Sequence, residues 1–224
     1  MSSVVKENYL KALFFLNEKD KSITLTDLGK VMGVSKPTVN GMVKKLQEKG
    51  WLKYEKYKPL KITKEGSKAA ALVIRKHRLS EMFLTEVMGF GWEEVHEIAE
   101  ELEHINSEKL FDRMNEIMGF PTVDPHGSPI PDKNGRITKI NYVPLSEVTG
   151  KSNVIFRAIR DSSNDLLHFL NRKKLSLGSE ITVEDFEPYD QSVTISYADF
   201  SKVQLGPGVT VHLLVEIVIP HSKK

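Results

Sequence analysis

Residues 95–105, VHEIAEELEHI, constrain the chain more than any other stretch, because two patterns share one helix. At about 100° per residue, Val95, Ile98, Ala99, Leu102 and Ile105 fall on one side and form an apolar stripe. His96, Glu100, Glu103 and His104 fall on a separate, contiguous side. Six Glu lie between positions 93 and 103, and carboxylates so crowded raise the energy of the folded state unless a cation sits among them. Two imidazoles and two carboxylates on one face are a ligand set for a divalent transition metal. A second pair, His77 and Glu81, has i,i+4 spacing on the preceding helical run. The Gly89–Gly91 break between the runs predicts an antiparallel return that could bring this pair to His96.

The N-terminal third reads differently. Residues 1–73 carry 15 Lys and no Arg against 7 acids, a net of +8. A helix over 4–18 is followed by a short one at about 25–32 with Thr24 as N-cap, a break at Gly33, and a third over about 36–49 with Ser35 as N-cap and Pro37 in its first turn. Two short helices around a tight glycine turn are a helix-turn-helix. Strands at Trp51–Tyr54 and Leu60–Thr63, joined by a basic turn, supply a wing. A basic winged helix suits a polyanion, here double-stranded operator DNA. Thr38, Asn40 and Gly41 stand where base edges are read. Ser35, Lys36, Pro37, Thr38, Lys44 and Lys45 of the recognition helix and Lys53, Lys56 and Lys58 of the wing are candidates for the wider DNA contact, with phosphate the chief target of the lysines.

Long helices are expected from Thr63 to about Met88 and from Ser107 to about Met118. Segment 120–135, FPTVDPHGSPIPDKNG, has four prolines and two glycines and reads as a linker or tethered loop. Beyond about 153 the chain turns to short strands, Glu180–Phe186, Ser192–Ser196 and Val209–Ile219, with a helix near 161–172, a pattern that predicts a small β-barrel. The expected class is α+β, multidomain: a winged helix-turn-helix over 1–73, a helical unit over 74–140 and a barrel over 141–224. The absence of cysteine rules out disulfides and thiolate metal sites. No apolar run is long enough for a membrane helix, and the first residues lack a signal-peptide layout, so the expected location is the cytoplasm, with no membrane partner.

RKHRLSEMFLTEVMGF (75–90) and VHEIAEELEH (95–104) resemble the diphtheria-toxin-repressor family of iron- and manganese-dependent transcription repressors. ENYLKALFFL (7–16), PHGSPIP (125–131) and LSLGSEITV (175–183) have family counterparts in the same order. The resemblance implies a homodimeric, metal-dependent repressor with an SH3-like C-terminal barrel, no enzymatic activity and no small-molecule substrate. It implies a regulatory metal site at Asn8, Glu100, Glu103 and His104. It also implies an ancillary site at His77, Glu81 and His96, completed from the barrel by Asp161 or Asp165, whose loss should cost less. Asn8 stands where the family usually has Met or Asp, and Glu100 where iron-type members have Cys. The donor set is then mostly oxygen with one imidazole, which suits Fe2+ or Mn2+, with Co2+, Ni2+ or Zn2+ able to enter in vitro. Lys11 replaces an acid of the manganese-type branch. The dimer interface is expected on helices 5 and 6, with Leu110, Phe111, Met114 and Ile117 as apolar candidates. Two rival readings are a metal-independent winged-helix regulator and a metal-dependent hydrolase.

Overall fold

The structure is a computed structural model, and it describes residues 3–19, 22–160 and 162–218. Helix α1 (Ser3–Lys19) packs on α2 (Leu25–Met32), which leads into α3 (Lys36–Glu48). Thr24 caps α2 in a full capping box: its hydroxyl accepts from Asp27 N–H while Asp27 accepts from Thr24 N–H. Gly33 ends α2 at φ 64°, a left-handed turn that β-carbon-bearing residues resist. Ser35 stands at the N-cap of α3, but its hydroxyl pairs with that of Thr38 at 3.0 Å and makes no cap bond. The wing is shorter than expected, with β1 (Leu52–Lys53) and β2 (Lys61–Ile62) antiparallel and Leu60 bridged back to Ile23. Leu10, Leu13, Leu28, Val39, Val43 and Leu46 form the core of this unit.

Helix α4 (Lys64–Glu86) is capped by Thr63 and runs unbroken through residue 73. Its Ala70 closes the N-terminal core, while Leu79 belongs to a second core with Phe111 and Met114. Helix α5 (Val95–Leu102) folds back on α4, and α6 (Glu108–Ile117) follows. The helix around the acidic motif stops at Leu102; Glu103 is the C-cap, still right-handed at φ −58° and ψ −21°, so the register of the motif is kept.

The Pro-rich segment is tethered throughout. Arg78 donates to Pro129 O, Arg75 donates to Pro131 O, and Ile159 N–H donates to His126 O. At Gly127, φ is 82° and a β-carbon would lie 2.1 Å from Arg157 O, so the loop can press on its neighbour only as glycine.

The C-terminal unit is an antiparallel sheet in the order β3-β8-β4-β5-β6-β7, built from β3 (Val143–Pro144), β4 (Ser152–Ile159), β5 (Glu180–Glu187), β6 (Ser192–Tyr197), β7 (Phe200–Leu205) and β8 (Leu213–Ile217). Register shifts at Phe156/Ala158, Val183/Asp185 and Ile195/Tyr197 bend it around Phe156, Val183, Ile195 and Val215, in an SH3-like fold. Helix α7 (Asn164–Lys173) covers this core. The long strand expected at Val209–Ile219 is divided: Pro207–Thr210 is a short helix, α8, and the strand is confined to β8. No described helix is long and apolar enough to cross a membrane.

Candidate metal centre

Three helices and the Pro-rich loop deliver acids and imidazoles to one place. Glu81, buried on α4, is the hub: its Oε1 lies 2.9 Å from His77 Nε2 and 3.2 Å from His96 Nδ1, and its Oε2 lies 3.8 Å from His126 Nδ1. The expected trio His77, Glu81 and His96 therefore converges, with one donor atom from each within 4.8 Å of the others. His77 and His96 meet edge to face at 5.0 Å.

Glu81 also belongs to a second trio, with Asp124 and His126. Both are buried loop residues. Asp124 Oδ1 accepts from His126 N–H and Ser128 N–H, which fixes the turn, and its Oδ2 lies 3.3 Å from Arg78 Nε. His126 Nε2–H donates to Trp92 O at 2.8 Å, so Nδ1 is the nitrogen that faces Glu81. Neither residue is among those the sequence pattern points to. The signal was present in DPHG, an aspartate in a position to form an Asx turn beside a histidine, but nothing local told where the loop would dock.

The residues expected to form the regulatory site sit on the other side of His77. Glu103 is 0% exposed, although the helical pattern puts it on the polar face. Its Oε2 stands 2.7 Å from His77 Nδ1, out of line for a hydrogen bond, and its Oε1 stands 3.6 Å from His104 Nε2. His104 Nδ1–H donates to Glu7 Oε2 at 2.7 Å, leaving Nε2 turned toward Glu103. Lys11 Nζ donates to Glu100 Oε1 at 2.5 Å and to both oxygens of Glu103 at 2.8 Å. Asn8 Oδ1 is buried and has no hydrogen-bond partner. A carbonyl oxygen left bare and buried, on the helix that also sends Glu7 and Lys11 to these residues, fits a cation ligand better than a structural amide.

One expected ligand does not join the cluster. Asp165 is exposed in the first turn of α7, outside every described group of converging ligands. Asp161 lies outside the described residues.

The expected DNA-contact residues lie on one unit. Ser35, Lys36, Pro37, Thr38, Gly41, Lys44 and Lys45 of α3 and Lys53, Lys56 and Lys58 of the wing are exposed, and Asn40 is half-buried. Lys58 is held by Glu55 at 2.5 Å. Of the apolar candidates for a dimer face, Phe111 and Met114 are core residues, Leu110 is half-buried against that core, and Ile117 is exposed. A helical stripe alone leaves open whether such residues meet a second copy or the chain's own core.

A family model described as "Iron dependent repressor, N-terminal DNA binding domain" matches residues 1–60, and one described as "Iron dependent repressor, metal binding and dimerisation domain" matches residues 63–132. The iron-dependent repressor IdeR of Mycobacterium leprae is 35% identical over 180 residues, covering 75% of this chain and 77% of the relative. The chain belongs to the iron-dependent repressor family. IdeR of Mycobacterium tuberculosis is likewise 35% identical, over 125 residues, 56% of this chain and 54% of that protein. The chain thus matches about half the length of the first such relatives. A solved structure titled "Manganese-dependent transcriptional repressor complex with manganese" superposes with a TM-score of 0.84 at 28% identity, covering 95% of this chain and 100% of that one.

Charge in this iron-dependent repressor family member is balanced inside the cluster. Burial works against charged His77, but contacts with Glu103 and Glu81 outweigh it and lift its pKa to about 9. Burial likewise opposes ionised Glu81, yet contacts with His126, His77 and His96 hold it well below the usual carboxylate range. Glu103 is also held low, burial being outweighed by His77 and Lys11. Burial, with the charge of Glu81, pushes Asp124 up to about 6.

These shifts predict a pH window. His77 stabilises the metal-free fold fully below about pH 6.5, and that contribution is lost as pH rises toward 9, on the order of 3 kcal/mol. Glu81 and Glu103 act in the opposite sense, their contribution being lost only in acid, below about pH 4.5, whereas Asp124, with its pKa raised, acts as His77 does and loses its contribution as pH rises from about 3.8 to 6. Urea midpoints of the metal-free protein should therefore fall from pH 6.5 to 9, and fall much less for His77→Gln. Parallel curves for the two proteins would contradict the assignment to His77.

Proposed function

We propose that the chain is a metal-dependent, DNA-binding transcriptional repressor of iron or manganese homeostasis, acting as a homodimer in the cytoplasm. The observation that carries the reading is the convergence of Glu100, Glu103 and His104 from α5 and its C-terminal turn with Glu7 and Lys11 from α1, the helix that also carries Asn8 and on which the winged unit is built. A cluster shared this way is complete in only one placement of the two helices, so a ligand that needs it complete favours that placement. The family descriptions of a DNA-binding domain and of a metal-binding and dimerisation domain support the same division of labour.

On this reading Asn8, Glu100, Glu103 and His104 hold the regulatory ion, and His77, Glu81 and His96 hold a second. Asp124 and His126 approach Glu81 from the loop side and can take the place that was assigned to a barrel aspartate. Oxygen-rich donor sets of this kind suit Mn2+ or Fe2+; Co2+, Ni2+ and Zn2+ are expected to enter in vitro. The ion, when bound, supplies the positive charge that lets these carboxylates share one centre. The chain's own groups do the rest: Glu7 fixes the ring of His104, Trp92 O fixes the tautomer of His126, and Arg78 ties the loop to α4. In a two-fold dimer, fixing α1 against α5 sets the spacing of the two α3 helices against successive major grooves. The reading makes the chain a regulator rather than an enzyme.

Selection from a random duplex library in Mn2+ is expected to enrich an inverted repeat with half-sites about one helical turn, or a multiple of it, apart. The same selection in chelator should enrich nothing. Equal enrichment in both would favour the metal-independent regulator, and none in either would overturn DNA recognition.

A further inference from the structure

We propose that Lys11 is a tethered counter-cation, which competes with the divalent ion for Glu100 and Glu103 and so sets the metal concentration at which that site fills. The proposal rests on the reading of Glu100, Glu103 and His104 as ligands. An ammonium has three N–H donors and no acceptor. All three are satisfied here, by Glu100 Oε1 and by both oxygens of Glu103. These are oxygens that a divalent ion at this site would need. Two like charges on the same carboxylate atoms repel strongly in a buried setting, so the ion enters only as Lys11 leaves.

Three further observations separate a stand-in from a permanent ion pair. Asn8, on the same helix and one turn before Lys11, keeps a buried Oδ1 that Lys11 does not use and nothing else satisfies. His104, braced through Nδ1 by Glu7, turns its Nε2 toward Glu103, at 3.6 Å. With its three N–H groups engaged by Glu100 and Glu103, the ammonium has none left for either lone pair, whereas a metal ion can use both. The third is room to move. Lys11 lines a cavity of about 210 Å3 whose walls include Glu81, His96 and Glu100 as well as Phe15, Ser128 and Arg160, so its four-carbon stem can shift off Glu103. Glu103, fully buried, thus has a counter-ion in both states: the lysine when metal is scarce, the metal when it is abundant.

The consequence is a higher metal threshold than the donor set alone would give. Three charge-assisted hydrogen bonds must be given up on loading, so removing the ammonium should tighten binding about ten- to hundredfold. The test is a Mn2+ titration followed by the paramagnetic resonance signal of the free ion, on the wild type, Lys11→Met, Lys11→Gln and Lys11→Arg. Tighter Mn2+ binding in the Met and Gln variants, with Arg no tighter than wild type, is the expected result. The metal-free Met variant should also unfold at lower urea than the wild type and recover in Mn2+. Lys11→Gln keeps the test alive if the Met variant does not fold. Unchanged or weaker affinity in both neutral variants would overturn the competition while leaving the metal reading intact. Absence of Mn2+ binding in all four proteins would overturn both.

Discussion

Glu103→Gln is expected to lower the stability of the metal-free protein by about 3–5 kcal/mol, the range seen when one partner of a buried ion pair is removed. The substitution keeps the shape, so no cavity is opened; what is lost is charge. Glu103 is fully buried and faces two cations, Lys11 at 2.8 Å and His77 at 2.7 Å. Glutamine leaves Lys11 with Glu100 alone and His77 with Glu81 alone. The penalty should shrink above about pH 9, where His77 is neutral in the wild type as well. Urea denaturation of both proteins at pH 7 and above pH 9 measures it. A loss below about 1 kcal/mol at pH 7, or one that does not change with pH, would count against the charge account.

Much of this architecture can be read from local signals. Thr24 with Asp27, Gly33 and Pro37 mark the ends of α2 and α3 through capping and backbone geometry that need no tertiary partner. The positions of His77, Glu81 and His96 follow from two helical registers and one short glycine-containing break. What local pattern could not supply was burial. Periodicity separates polar from apolar faces, but it does not say whether the polar face meets water or another helix. The polar side of α5 meets α4 and the side chains of α1, and so Glu103 is buried while Ile105, on the apolar stripe, is exposed. The same limit hid Asp124 and His126, whose role depends on where an irregular loop docks. It hid Lys11 too: the residue stands out in the sequence as a replaced acid, but its contacts lie 89 and 92 positions away. In the C-terminal unit, β7 carries mostly exposed residues and gives no alternating signal, which is why it is invisible beforehand.

Glu81→Gln is expected to weaken the metal response strongly, though less than loss of a regulatory ligand would. Glu81 is the one residue that belongs to both the His77–His96 group and the Asp124–His126 group. Glutamine removes the charge that the three facing imidazoles share and leaves only a neutral oxygen. Changes in groups that merely orient a ligand cost about 10- to 100-fold in metal affinity, so loss of a charged ligand should cost at least that. Mn2+ titration of the variant should show the corresponding weakening, and coupling to DNA should fall with it. Retention of wild-type affinity would remove Glu81 from the centre of the account.

The central claim is that filling this cluster makes the winged unit competent for its operator. It is tested most directly by fluorescence anisotropy of the selected duplex, titrated with wild-type protein in saturating Mn2+ and again in chelator, with Glu81→Gln alongside. A coupling of the usual size predicts wild-type binding about ten- to hundredfold tighter in Mn2+, and Glu81→Gln binding weakly in both conditions. Equal wild-type affinity with and without the ion would contradict it.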